Sequence, residues 1–469
     1  MRLTLAAALA RAGQPFRTSV TGEPRAPLCG MGVCHECRVT VGGDAHQLAC
    51  ILPDDPRAPR ARAVRREERC DVLVVGGGVA GLAAARSAGA AGADVLVIDE
   101  HAALGGPIYR AVDSPWPRPP RVCARTRVVA ALARTERGRS VLAEDDAGSV
   151  IVHCRELVLA PGARELLLPF PGWTLPGVFG AGGLQLLAKG GWPVAGKRVL
   201  VGGTGPLLRA AAAGLRGLGA RIVGVAELAP AARVAQFGVG LVARPGKLVQ
   251  AAALSASLLG VPIWSRALVR RVHGDARVTA ATVDIAGRER TIDCDLVAVG
   301  FGLVPSVELP LLFGCSVAAG RVVVDELGAT SVPGIRCAGE ATGIGGVDKA
   351  IVDGELAGCA AAGRAPRAAL LRRRRRALAF ADALAACFPP PHDWARVLDD
   401  DTIVCRCEDV RWAALRDVAD VRAAKLHTRT GMGACQGRVC GAALAVLRGF
   451  PAGTIRPPVA PARLETLTR

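Results

Sequence analysis

The clearest pattern along the chain is an apolar run that meets a glycine turn and then a stretch of small residues. It reads CDVLVVGGGVAGLAAARSAGAAGADVLVIDE, from Cys70 to Glu100. A short apolar run bounded by turn residues predicts a buried strand, and the alanine-rich stretch after it predicts a helix. The segment therefore reads as strand, tight turn, helix, strand. A second copy of the layout, KRVLVGGTGPLLRAAAAGLRGLGARIVGVAE, runs from Lys197 to Glu227. LAAALARAG near the start and VRWAALRDVADVRAAK near the end also have helical character. Strands alternating with helices predict an α/β class with parallel sheets.

Composition narrows this. The chain has 469 residues, enough for several domains, and 51% are hydrophobic. Aromatics are only 3%, so the cores must be built from Ala, Val and Leu. The net charge of +18 raises the question of nucleic acid. Its source is arginine spread along the chain, and the one dense run, Arg372 to Arg376, sits in an Ala/Leu-rich segment without aromatic residues. A solvated helix face or linker is the expectation there, not a stacking platform for bases. The longest uncharged apolar run, Val72 to Ala85, is too short to span a bilayer, and no signal peptide is evident. A soluble, cytoplasmic protein without a transmembrane segment is expected. Sixteen cysteines then argue for metal ligation or buried thiols rather than disulfides.

Gly76, Gly78 and Gly81 form G-x-G-x-x-G between strand and helix. Gly76 allows the turn, Gly78 lets the backbone approach a pyrophosphate, and Gly81 allows close packing. Val79 and Ala80 open the helix, whose free amides favour an anion. Asp99, followed by Glu100, ends the second strand at the distance expected of a ribose-binding acid. In the second copy, Gly203 and Gly205 follow a strand and Glu227 ends the next. Leu208 stands at the third glycine position and Pro206 in the turn, so nicotinamide binding and an empty, degenerate site both stay open. If NAD(P) binds, Glu227 favours NAD.

Two cysteine sets carry the remaining chemistry. Cys29, Cys34 and Cys37 are spaced C-x4-C-x2-C, with Cys50 further on, which is plant-type 2Fe–2S ligand spacing. Gly30 and Gly32 keep bulk out of a loop that must wrap a cluster and aim its amides at sulfur. Cys405 and Cys407, with Cys435 and Cys440, form a second candidate set of four thiolates. Zinc competes at both places. Arg406 and Arg438 flank ligands and would offset cluster charge. Cys70, Cys123, Cys154, Cys294, Cys315, Cys337 and Cys359 are scattered and read as buried small hydrophobes, which argues against a disulfide reductase. No acid–base constellation for catalysis stands out. His35 is expected at the solvent-exposed side of its loop, and His101 on the turn after Asp99.

These motifs together resemble a known group. LVLAPGARE, with Ala160 and Gly162, and the segment around Gly339 and Glu340 are similar to FAD-contacting segments of two-dinucleotide-domain flavoproteins. The phrases EPRAPLCGMGVCHECRVTV, GGPIYR, PFPGWTLPGVFGAGGLQLL, VGGTGPLL and CRCED…GMGACQGRVCG resemble the FAD/2Fe–2S subunits of bacterial amino-acid dehydrogenases. That group takes in subunits of hydrogen cyanide synthase, opine oxidase, D-hydroxyproline dehydrogenase and sarcosine oxidase. Where it usually reads Gly-Gly-Gln, this chain has Gly105, Gly106 and Pro107. The resemblance implies an FAD domain with an inserted NAD(P)-type domain, flanked by small 2Fe–2S domains at both ends. The implied order is a ferredoxin-like domain at 1–58, a first FAD-binding segment at 68–190, and the inserted domain at 191–294. The second FAD-binding segment follows at 295–364, a linker or helix at 365–398, and a bacterioferritin-associated-ferredoxin-like domain at 399–450. The chain opens on what reads as the helix after the first strand pair of ferredoxin-like domains, so an N-terminal truncation is also expected. The cofactors implied are FAD and two 2Fe–2S clusters, with NAD(P) as a further candidate. The implied partner is a D-amino-acid-oxidase-like flavoprotein that oxidises the amine. A self-sufficient NAD(P)H-dependent ferredoxin-reductase-like enzyme is the competing reading.

Overall fold

The structure is a computed structural model, in which residues 3–54, 64–109, 117–132, 138–451 and 455–468 are described. They form two units, each gathered from three stretches of chain. One unit joins Met1–Pro56, Glu165–Gly302 and Ala383–Gly453; the other joins Arg57–Arg164, Leu303–Asp382 and Thr454–Arg469.

The second of these is built on a seven-stranded sheet. Val64–Val75 lies between Val95–Asp99 and Gly148–Leu159, parallel to both, and Ile335–Cys337 adds to the latter, also in parallel. Alternation of side chains splits the central strands between two cores. Leu73, Leu96, Ile98, Leu157 and Leu159 face one way, and Val72, Val74, Val95, Val97 and Val158 the other. The second face takes Ala80, Ala84 and Ala88 of the Val79–Ala90 helix and Ala350 and Ala357 of the Val347–Ala361 helix. These helices meet almost backbone to backbone. A side chain at Gly354 or Gly358 would stand 2.1 Å from Ala80 O or 2.2 Å from Ala84 O. The arginine run lies on the Ala368–Cys387 helix and is exposed except at Arg374, as expected of a solvated face.

The other unit centres on a five-stranded parallel sheet. Its order is Val178–Gly180, Leu296–Gly300, Arg198–Gly203, Arg221–Glu227, Ile263–Ser265. The sheet's core continues into the N-terminal segment: Ala6, Cys37, Leu48 and Cys50 pack in one cluster with Phe179, Leu184, Leu187, Val199 and Leu208. The tail forms its own core around Val404, Trp412, Leu415 and Leu444.

Three expectations change. The sheet expected within 191–294 reaches past those bounds, with strands at 178–180 and 296–300. The Pro- and Arg-rich segment LPDDPRAPRARAVRREER, whose composition predicts a linker, is strand from Val64 onward; residues 55–63 lie outside the described residues. VRWAALRDVADVRAAK is not one helix. Val410–Arg411 pairs with Ile403–Cys405, and the helix begins only at Val421, where the Asp420 carboxylate accepts the Ala423 amide at 2.7 Å. Arg448 donates to the carbonyls of Leu415 and Val418, which a continuous helix would have used internally. Among the described residues no helix is long and apolar enough to cross a membrane.

Candidate functional site

The first glycine turn is shaped as its spacing predicts. Gly76 has φ +105°, and a side chain there would meet Ala160 O at 2.2 Å. One at Gly81 would come within 1.7 Å of Gly76 O. Gly78 faces open space and caps the helix with no side-chain bond, so the first amides, including those of Val79 and Ala80, stand at an open helix end. Gly162, at φ +71°, also faces open space. Gly339, at φ +78°, packs so near Ala80 that a side chain would stand 2.7 Å from its Cβ. The two sequence segments expected to face a flavin are thus brought to one helix end.

The acids behave differently from the expectation. Asp99 is buried and already committed: it accepts the amide of Gly77 at 2.6 Å, and the amide and Nδ1 of His101 at 2.7 and 2.9 Å. Burial works against its charge, but His101 and the amides outweigh that and hold its pKa below the usual value. Asp99 therefore fixes the turn as well as ending the strand. Glu100 pairs with Arg127 at 3.1 Å. Glu340 accepts the Gly346 amide at 2.7 Å, and burial raises its pKa. Lys349, which sequence reasoning passed over, is 2% exposed; it donates to Gly339 O at 3.0 Å, Thr342 at 2.9 Å and Asp353 at 2.6 Å. Arg374 adds a second cation to Asp353 at 3.1 Å. The spacing of Lys349 and Asp353 is legible, but i,i+4 pairs are normally surface features.

The second turn is filled from within the chain. Gly203 packs against Gly300 as a tight turn requires, with only 1.8 Å left for a side chain. Leu208 is fully buried in the sheet core. Glu227 does not face outward: it is 5% exposed and accepts the amides of Gly205 at 3.1 Å and Ala229 at 2.9 Å. Phe388 lies 3.8 Å from where a side chain at Gly205 would begin, and its ring packs edge-on to Phe237. Phe388 thus borders the second turn at ordinary contact distance, and Glu227 bonds the turn's own amides, as Asp99 does at the first turn. These contacts bear on the choice, left open by the sequence, between nicotinamide binding and an empty, degenerate site.

All eight candidate ligand cysteines are buried, 8% exposed or less. The Cys29 sulfur accepts the amides of Met31 and Cys34, both at 3.4 Å. Bonding from the Cys34 thiol draws the Cys29 pKa down and pushes that of Cys34 up. Cys50 acts on Cys29 through its charge, and Cys37 packs in the same core as Cys50. In the tail, Cys440 bonds Cys405 and lowers its pKa to about 6, and Cys407 likewise lowers that of Cys435. The amides of Gly431, Glu408 and Cys407 approach the Cys405 sulfur, and those of Val439 and Gly437 the Cys435 sulfur. Among the described residues no three ligand side chains converge on a single ion. The thiols are gathered in neighbouring pairs with amides aimed at sulfur. The reason for the first loop's glycines shifts, however. Gly30 is pressed against Gly183 O, 2.7 Å from where its side chain would begin, and Gly32 against Ile51, so neighbouring protein also demands their smallness.

Of the scattered cysteines, Cys154, Cys294, Cys315 and Cys337 are buried as expected, whereas Cys70, Cys123 and Cys359 are half-buried. Burial raises Cys70, Cys154 and Cys294 to about 12. His35 is buried, 7% exposed, against the expectation of exposure.

One of the two residues between Cys34 and Cys37 was also overlooked. Glu36, 1% exposed, accepts from Arg17 at 3.1 Å and meets Arg406, the residue between Cys405 and Cys407, at 3.5 Å. Arg17 also donates to Arg406 O at 2.8 Å. Arg406 lies over the Trp173 ring, 4.9 Å from its centroid, and donates to Trp173 O at 2.6 Å. Arg25 pairs with Asp409 at 2.6 Å. One small cavity is lined by Cys34 and Glu36 together with Cys405, Arg406, Cys407, Cys435 and Cys440.

Known protein families match the chain in two stretches. Residues 70–355 match the pyridine nucleotide-disulphide oxidoreductase family, and residues 3–56 match a 2Fe-2S iron-sulfur cluster binding domain. The chain is 30% identical to hydrogen cyanide synthase subunit HcnB of Pseudomonas aeruginosa, across 78% of this chain and 90% of that one. It is 32% identical to an opine oxidase subunit of Agrobacterium tumefaciens, across 85% and 91%. Among solved structures, the L-proline dehydrogenase of P. horikoshii superposes with a TM-score of 0.73, covering 99% of this chain and 94% of that chain at 18% identity, a likeness of fold.

Proposed function

We propose, for a chain that belongs to the pyridine nucleotide-disulphide oxidoreductase family and is an FAD-dependent oxidoreductase with an N-terminal 2Fe–2S domain, a role as the electron-relaying subunit of an amino-acid or opine dehydrogenase complex. In this reading it holds FAD and two 2Fe–2S clusters, one at each cysteine set. It passes electrons between a D-amino-acid-oxidase-like partner, which oxidises the amine, and an acceptor. FAD accepts two electrons together and releases them singly, and a 2Fe–2S cluster carries one at a time.

The observation that carries the reading is the pair of cysteine sets, each buried and amide-lined, joined to an FAD-type glycine turn in one chain. The open amides after Gly78 would hold a pyrophosphate. Asp99 keeps the turn in shape, Gly339 brings Glu340 to the helix end, and Lys349 fixes the 339–342 turn. Cys29, Cys34, Cys37 and Cys50 would hold one cluster and Cys405, Cys407, Cys435 and Cys440 the other. The relatives are themselves named as subunits, which supports a partner.

The competing reading, an NAD(P)H-dependent reductase, is disfavoured by Phe388 against Gly205 and by the internal bonds of Glu227. One experiment separates them: an anaerobic visible spectrum with iron, sulfide and flavin counts, repeated after NADH and after candidate amino acids with and without the partner protein. Bleaching only by amine plus partner supports the relay. Bleaching by NADH alone overturns it.

A further inference from the structure

We infer that the two cysteine sets form one electron-exchange unit, and that Glu36 and Arg406 are the positioning residues that lock it together. The inference rests on the reading that both sets hold 2Fe–2S clusters.

The observations are local to one unit of the fold. Cys34 of the first set shares a cavity with all four cysteines of the second. The contact is not a loose apposition. Glu36, two residues after Cys34 and one before Cys37, is the only anion of that loop, and Arg406 stands directly between Cys405 and Cys407. Both side chains are buried, at 1% and 3% exposure. A buried carboxylate facing two guanidiniums, those of Arg17 and Arg406, is stable only as a complete set, so neither loop can move away without stranding a charge. Arg17 ties the same point to backbone through Arg406 O, and Trp173 holds the Arg406 plane from the other side while its own indole donates to Ile403 O at 2.6 Å. A second clamp repeats the design: Arg25 at 2.6 Å and the Thr21 hydroxyl at 2.7 Å both bind Asp409.

The consequence for chemistry is direct exchange. With both sets loaded, Cys34 beside the four tail cysteines would let the two groups exchange one electron directly, with no bond change and no proton. Glu36 carries its negative charge toward both sets, so it acts on the electron affinity of both, although it belongs to the sequence of only the first.

The test uses the full chain with its iron restored anaerobically, and dithionite as reductant. Iron and sulfide counts come first; failure to load both sets would defeat the functional reading itself. With both loaded, the electron paramagnetic resonance spectrum of the fully reduced protein should be split relative to the half-reduced one, because adjacent spins perturb each other. Two signals that merely add would overturn the inference while leaving the functional reading intact. Glu36→Gln should raise the electron affinity of both centres together, each about tenfold, which is 59 mV for one electron, and Glu36→Asp should restore most of it. A shift at the first set alone would show that Glu36 serves only its own loop. If Glu36→Gln does not fold, the spin splitting of the unaltered protein still decides.

Discussion

The Glu165 carboxylate accepts the amide of Gly183 at 2.8 Å, and Gly183 is itself pressed against Leu28 and Cys29, with only 2.5 Å between Leu28 O and the place of a side chain. A buried acid thus fixes the helix end on which the first cysteine loop rests. Burial raises the Glu165 pKa to about 7 from 4.5, more than the amides of Gly182, Gly183 and Ala181 lower it. The folded chain then holds this proton more tightly than the unfolded one. Stability from this group is complete below pH 4.5 and is lost as pH rises through 7. The loss is on the order of 3 kcal/mol. Glu165→Gln should flatten this region of the profile, read from denaturant midpoints between pH 4.5 and 8. An unchanged slope would count against the assignment.

Gly81→Ala should abolish flavin retention, because its methyl would fall 1.7 Å from Gly76 O. At least a tenfold loss of bound flavin, measured by absorbance after desalting, is expected. Gly89→Ala in the same helix meets nothing within 4 Å and should stabilise the fold by roughly 0.5–1 kcal/mol. The pair of variants separates steric damage at the turn from any general effect on the helix.

Phe388→Ala should open the second turn. In equilibrium dialysis the unaltered protein is expected to retain no NADH or NADPH at that turn. The variant should gain weak binding, with a dissociation constant of order 1 mM, equivalent to about 4 kcal/mol. Tight NADH binding by the unaltered protein would show that the ring does not block the site.

Cys440→Ser should remove half of the iron and leave the absorption of the first set. Cys440 bonds Cys405 in the core of the tail, so the fold should survive the near-isosteric change. Iron content equal to that of the unaltered chain would remove Cys440 from the ligand set.

Much of the site was legible because glycine and cysteine spacings encode backbone geometry directly. Gly76, Gly81 and Gly203 are required by contacts of under 2.5 Å with carbonyl oxygens, and no other residue type fits them. The acids carry a further role that the sequence does not show. Asp99 and Glu227 end strands at the expected distance, but a carboxylate beside a glycine turn can also bond the turn's own amides, and sequence does not distinguish those partners. The tail helix was read too long because Arg448, which binds the carbonyls of Leu415 and Val418, lies 33 and 30 positions from them along the chain. Glu36 and Phe388 stayed invisible for the same reason: each acquires its meaning from a partner in a distant stretch.

The bond between Glu36 and Arg406 joins residues 370 positions apart. During synthesis at about 5–20 residues per second, the early thiols would wait roughly 20 to 70 seconds for the guanidinium that closes over them. A nascent chain would carry them bare through that interval, which makes protection from oxygen, and the timing of iron delivery relative to release from the ribosome, a determinant of the yield of working protein.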